Sequence, residues 1–210
     1  MPQVPTGSAI VAPEDVPLTT SEVFAAQRLW AASIAKISAV YKEGGDFVGA
    51  AGEAAGELYA YGHSNVLFKP TKAREFQFRP MAKDAMSYFV GADNVDNGIS
   101  EDGGFAINGG KGWSNVAFDN HQVELTGNTA IAMGNYDFTC ATSGEKTKVE
   151  YTFGYKRCAD GKVRIFLHHS SVPYSAAKSH AAAPAPASVV DVLRGGPSAM
   201  LAAMNGDMSA

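Results

Sequence analysis

The sequence predicts an α+β domain in which N-terminal helices cover the concave face of a bent antiparallel sheet. Two observations lead there. One apolar stripe of helical period runs from Val23 to Tyr41, and the region from Trp113 to Val172 alternates apolar and polar residues between short turn-forming clusters. Helices packed on such a sheet enclose a deep cone, a usual place for a small-molecule pocket.

The elements follow in order. Residues 1–18 hold four prolines and little periodicity and read as an irregular leader. Thr19 and Glu22 have capping-box spacing, which satisfies orphan N–H groups at a helix start. Val23, Trp30, Ile34, Ile37 and Tyr41 then line one face of a helix of about 20 residues, and Gly44-Gly45 stops it. Asp46 caps a second helix running to about Tyr59, whose Ala and Gly content suits close packing. Val66 to Thr71 is strand-like, with Pro70 placing it at an edge or end. Pro80 suits the first turn of a short helix, Met81 to Phe89. Gly91 to Gly104 reads as a loop, Phe105 to Ile107 as the start of a strand, and Trp113 to Leu125 as another. From Asn128 a meander of three strands is expected: Thr129–Thr142, Thr147–Arg157 and Lys162–Val172. At about 3.3 Å per residue these strands exceed 30 Å, so they bend, and Gly134 and Gly154 are the natural bulge sites. The domain is expected over 19–175, with 176–210 an Ala/Pro-rich linker or tail.

Composition excludes several classes. The net charge of −4 argues against a nucleic-acid surface, which needs clustered Lys and Arg. No apolar run approaches the roughly 20 residues of a membrane span. Residues 1–17 have neither the basic start and apolar core of a secretory signal nor the arginines of a transit peptide. Cytoplasm, or an organelle stroma for a trimmed chain, are the compartments that fit. Cys140 and Cys158 with five scattered histidines spell no standard metal motif. Two free thiols near strand ends are favoured over a disulfide.

The stretch with most chemistry is Val163 to Tyr174. Its strand ends in His168-His169-Ser170-Ser171. Alternation puts Arg164, Phe166, His168 and Ser170 on one face and Ile165, Leu167, His169 and Ser171 on the other. The plain alternative is a strand leaving the core where water begins.

Six blocks in one order carry a resemblance: Leu58-Tyr59-Ala60-Tyr61, Leu67-Phe68-Lys69-Pro70-Thr71, Ser87-Tyr88-Phe89-Val90-Gly91, Ala132 to Phe138, Val149 to Tyr155, and Ile165 to Ser171. Together they resemble the iota-class carbonic anhydrases of algae and bacteria. That family is related to the association domain of calcium/calmodulin-dependent protein kinase II and to the cone-shaped SnoaL and NTF2-like folds. The resemblance spans roughly residues 20–175 and implies reversible hydration of CO2 to bicarbonate. It implies catalytic Thr, Tyr and Ser at Thr71, Tyr88 and Ser170, with Ser171 the alternative to Ser170. The proton must also leave, and His168, or His169 in its place, is the relay or substrate-binding candidate because imidazole titrates near neutral pH. Manganese has been proposed for some members, but no ligand motif here supports a metal, so no cofactor is expected. A homodimer through the sheet is expected, and Val149, Tyr151, Phe153 and Tyr155 are candidates for its outer face, the interface an association domain would use. Two other readings compete: a non-catalytic association domain, and an isomerase or hydratase of a small apolar substrate using Asp137 with His168. Cone folds host all three.

Overall fold

The computed structural model describes residues 12–175. The expected tail, 176–210, and most of the leader lie outside the described residues. Three helices, α1 (Thr20–Lys42), α2 (Phe47–Leu58) and α3 (Ala82–Val90), pack on a five-stranded sheet made of β1 (Leu67–Lys69), β2 (Trp113–Thr126), β3 (Thr129–Cys140), β4 (Lys146–Arg157) and β5 (Val163–Ser171). The strand order is β1-β5-β4-β3-β2. The short β1 runs parallel to β5, and every other pairing is antiparallel. The meander therefore has four strands, β2 being its first member.

Local chemistry starts and stops the helices as expected. Glu22 N–H donates to Thr19 Oγ1 at 3.3 Å and Thr19 N–H to Glu22 Oε2 at 3.0 Å, completing the capping box of α1. Glu22 also accepts from Arg157 Nη2 at 2.7 Å, which ties the helix start to β4. Asp46 caps α2 through Gly49 N–H at 2.7 Å. α3 begins later than expected: Met81 is extended at φ −114° and precedes the helix, so Pro80 lies outside the first turn. The described part of the leader is irregular apart from one 3-10 turn, and it is pinned to the sheet by Leu18 N–H on Gly127 O and by Arg157 on the carbonyls of Val16 and Pro17.

Phe105 to Ile107 is not a strand. It opens a 3-10 segment, Phe105–Gly110, because Asn108 and Gly109 adopt left-handed φ values of 50° and 57° and break any extended run. Ser38 Oγ donates to Ala106 O at 2.6 Å and accepts from Trp113 N–H at 2.8 Å, so α1 holds this segment and the start of β2 together.

The core lies between α1 and the concave face. Trp30 reaches down from α1 into a ring of Phe118, Tyr136, Phe138, Phe153 and His168, with centroids 5.7–6.1 Å away. Val149, Tyr151, Phe153 and Tyr155 line this inner face and are all buried. Their expected place on an outer dimer face is thus corrected: helix α1 needs an apolar floor, and these aromatics supply it. The outer face carries Ile131, Met133 and Leu67 instead.

Both glycines expected to bend the sheet do so. Gly134 lies across from the β2 bulge between Asn120 and Gln122. A Cβ there would meet Asp119 O at 2.1 Å and His121 N at 2.8 Å, both backbone atoms. Gly134→Ala is therefore expected to cost about 2–3 kcal/mol, read as a lowered urea midpoint at unchanged slope. Gly154 faces the second bulge, where Gly154 pairs with Leu167 and Tyr155 with Ile165, leaving Phe166 as the extra residue. That bulge resets the alternation of β5. Ile165 joins His168 and Ser170 on the inner face, and Arg164 leaves it for a bidentate pair with Asp160, both contacts at 2.8 Å.

Candidate active site

The wide end of the cone opens into a cavity of about 350 Å³. Its walls include Phe105, Trp113, Phe138 and Val149, and Thr71 and Lys72 stand at its edge. Thr71 is there because β1 ends at Lys69 and Pro70 turns the chain across the mouth of the sheet. Tyr88 comes from the buried side of α3 and stacks on Phe105 at 5.4 Å. Burial pushes the Tyr88 hydroxyl upward, opposed in part by hydrogen bonding from the Lys72 backbone and the Thr71 side chain. Thr71 lines the cavity and Tyr88 a neighbouring recess, and the two hollows share Lys72 and Phe105 as walls.

Ser170 lies one layer deeper. Val149 in the cavity wall pairs with Tyr136 on β3, and Tyr151 pairs with Ser170 on β5. Ser170 Oγ is 3.2 Å from His168 Nε2, and Tyr136 Oη is 3.4 Å from the same nitrogen. Burial raises the Tyr136 hydroxyl, and the Ser170 side chain hydrogen-bonds to it and opposes that shift. Ser170 does not itself line the open cavity; Tyr136 stands between it and the mouth layer.

Behind Ser170 the string continues inward. Tyr59 Oη lies 2.7 Å from His168 Nδ1, and Trp30 Nε1–H donates to Tyr59 Oη at 3.0 Å. An indole nitrogen can only donate. With Tyr59 accepting from Trp30, its own proton finds its acceptor at His168 Nδ1. That leaves Nε2 as the protonated ring nitrogen, aimed at Ser170 and Tyr136. Burial, with a smaller contribution from His169, pushes His168 well below its ordinary range, so the ring is neutral at pH 7. A relay that works by titrating near neutrality is therefore closed to His168 at this depth. Tyr59→Phe is expected to leave the Trp30 N–H without an acceptor and to cost about 1–3 kcal/mol. Imidazole 15N shifts should then report a mixture of tautomers in place of one.

Two other candidates are not in the cone. His169 is exposed on the outer face between Thr152 and Lys69, and Ser171 Oγ points outward to Glu150 at 2.8 Å. Alternation along β5 puts both on the opposite side from His168 and Ser170, so neither touches the site. Asp137 does not pair with His168 either: on β3 it is Tyr136, one residue earlier, that faces inward.

A second buried cluster holds the mouth in shape. Arg79 Nη2 meets Asp102 Oδ1 at 2.8 Å, and neither side chain is exposed. Asp102 Oδ2 accepts from Ser87 Oγ at 2.7 Å, next to Tyr88 in sequence. Arg79 N–H donates to Phe68 O at 2.9 Å, and its guanidinium binds the carbonyl of Phe76. The loop bearing Thr71 and the helix bearing Tyr88 are therefore fastened to one ion pair. Trp30, Tyr59, Tyr136, Arg79 and Asp102 were not singled out from sequence as site residues. Tyr59 and Tyr136 do fall inside the resemblance blocks, the one signal that pointed to them.

A curved sheet covered by N-terminal helices, with hydroxyls strung through its core, defines the class: an α+β cone fold with an interior polar site. Residues 21–172 match the family described as metal-independent carbonic anhydrase, and the chain belongs to that family. A metal-independent carbonic anhydrase of Nostoc sp. (strain PCC 7120) is 38% identical over 160 residues, 75% of each chain. The crystal structure of a cyanobacterial iota-carbonic anhydrase complexed with bicarbonate superposes with a TM-score of 0.72 at 36% identity, covering 80% of this chain and 99% of that one. Among the described residues no helix is long and apolar enough to cross a membrane.

Proposed function

We propose that this chain hydrates CO2 to bicarbonate without a metal and that Thr71, Tyr88 and Ser170 carry the reaction. One observation supports the reading above others: uncharged hydroxyls, with a neutral imidazole behind them, lead from an aromatic-walled cavity into the cone. CO2 is apolar and enters such a cavity at little cost. Attack by water develops negative charge on the CO2 oxygens, and preorganised O–H donors stabilise that charge with no reorganisation. Thr71 and Tyr88 position the reactants at the mouth layer. Ser170 accepts from His168 Nε2–H, so its one proton is free: it turns to Tyr136 before substrate binds and to the developing bicarbonate when the Tyr136 hydroxyl gives way to substrate.

The proton released by water leaves through the mouth. The inward string ends at Trp30, whose N–H cannot accept a proton, so His168 and Tyr59 orient Ser170 and export nothing. CO2 hydration measured by stopped flow is expected to be unchanged after exhaustive treatment with chelator. Loss of activity that a divalent metal restores would overturn the metal-free reading.

Assembly as a homodimer fits the outer sheet face, where Ile131 and Met133 are 43% and 50% exposed in the first half of β3. Light scattering is expected to give twice the chain mass, and Met133→Lys to halve it.

A further inference from the structure

At the narrow end of the cone, opposite the cavity, the fold gathers three side chains that lie far apart in sequence. His63 comes from the turn after α2, and Cys158 and Asp160 come from the turn joining β4 to β5. One ligand atom from each lies within 4.8 Å of the others. We propose that His63, Cys158 and Asp160 form a binding site for a divalent transition metal of the zinc type, peripheral to catalysis.

The donor set suits that class. Nitrogen, sulfur and carboxylate oxygen together favour a borderline-soft ion over calcium or magnesium, which take oxygen ligands alone. A tetrahedral ion at about 2.0–2.3 Å from each ligand needs ligand atoms roughly 3.5 Å apart. Closing to that separation takes well under 1 Å of movement per side chain, roughly, and His63 is exposed and free to make it. Water completes the fourth position.

The carboxylate has room for the ion. Asp160 Oδ1 already accepts from Arg164 Nη1 at 2.8 Å and from Lys162 N–H at 3.1 Å. Asp160 Oδ2 accepts only from Arg164 Nη2, at 2.8 Å, so one of its lone pairs is available. Arg164 would act as the outer-shell partner that fixes the ligating carboxylate. The Cys158 end is equally well held: its N–H donates to Lys162 O and its carbonyl accepts from Gly161 N–H, both at 2.8 Å. Cys158 is buried while His63 and Asp160 are exposed, so the ion enters from the solvent side onto a fixed sulfur. Seven strand steps, about 23 Å, separate Val163 beside this turn from Ser170, which makes the site independent of the reaction.

The test is a cobalt(II) titration of the reduced, metal-stripped full chain without an affinity tag. The expected result is a 1:1 end point with a thiolate-to-cobalt absorption in the near ultraviolet and tetrahedral ligand-field bands, both abolished by one equivalent of zinc. Cys158→Ser should lose the charge-transfer band and His63→Ala should lose stoichiometric binding, while Cys140→Ser keeps both. His63 is a surface residue, so its variant folds whatever becomes of Cys158→Ser. Absence of the bands at stoichiometric cobalt, or their persistence in Cys158→Ser and His63→Ala, overturns the site. A CO2 hydration rate that rises and falls with the bound ion overturns its peripheral role.

Discussion

Ser170→Ala is expected to lower the rate of CO2 hydration by about a hundred- to a thousandfold, the usual loss when one preorganised donor to a developing oxyanion is removed. The fold should hardly notice. Ser170 Oγ is one of two oxygens near His168 Nε2, and the other, Tyr136 Oη at 3.4 Å, remains to accept the ring proton. The stability cost is then about 1 kcal/mol, that of one hydrogen bond. Thr71→Ala should behave alike at the other end of the string, since Thr71 is half-exposed at the cavity edge and carries little of the core. The pairing of a large rate effect with a small stability effect separates chemistry from packing. Stopped-flow hydration beside thermal unfolding measures both. Near-full activity in both variants would remove these hydroxyls from the mechanism.

That assignment was only partly legible in the chain. Secondary structure followed from period and punctuation: the Trp30–Ile34–Ile37 stripe, the Thr19–Glu22 box and the glycine turns were each sufficient alone. Facing was harder. Alternation says that Tyr151, Phe153 and Tyr155 share a side of β4, but not that α1 lies over it. The same limit moved Asp137 to the wrong side. The bulge at Phe166 has no signature of its own beyond a glycine on the neighbouring strand, yet it exchanges Arg164 for Ile165 on the inner face. Contacts between distant segments were invisible altogether. Tyr59 and His168 are 109 residues apart, and Trp30 reads as one more core aromatic on a helix stripe until its N–H is seen at Tyr59 Oη. The proposal of Thr71, Tyr88 and Ser170 rests on the six blocks read together; no property of any one residue would have suggested it.

The second large effect is expected far from any reacting atom. Asp102→Ala leaves the Arg79 guanidinium fully buried with no carboxylate inside hydrogen-bonding distance, since Glu101 stands 3.8 Å away. Removing one member of a buried pair costs about 3–5 kcal/mol, which for a chain of this size is roughly a 10 °C drop in Tm. The loss should also reach catalysis. Ser87 loses its acceptor, and the Thr71 loop and the Tyr88 helix lose their common anchor. Activity measured well below the new Tm should therefore fall even though Asp102 itself touches no substrate. Arg79→Met added to Asp102→Ala distinguishes the cause. If the penalty is the unpaired charge, the double variant recovers part of the lost stability, because an apolar side chain no longer needs a partner. Activity should stay low in the double variant, because the fastening between Phe68 and Asp102 through the Arg79 side chain is still missing. A single variant that unfolds within 1 °C or so of the parent, about the resolution of such a shift, would mean that solvent reaches this pair and that the mouth is held by something else.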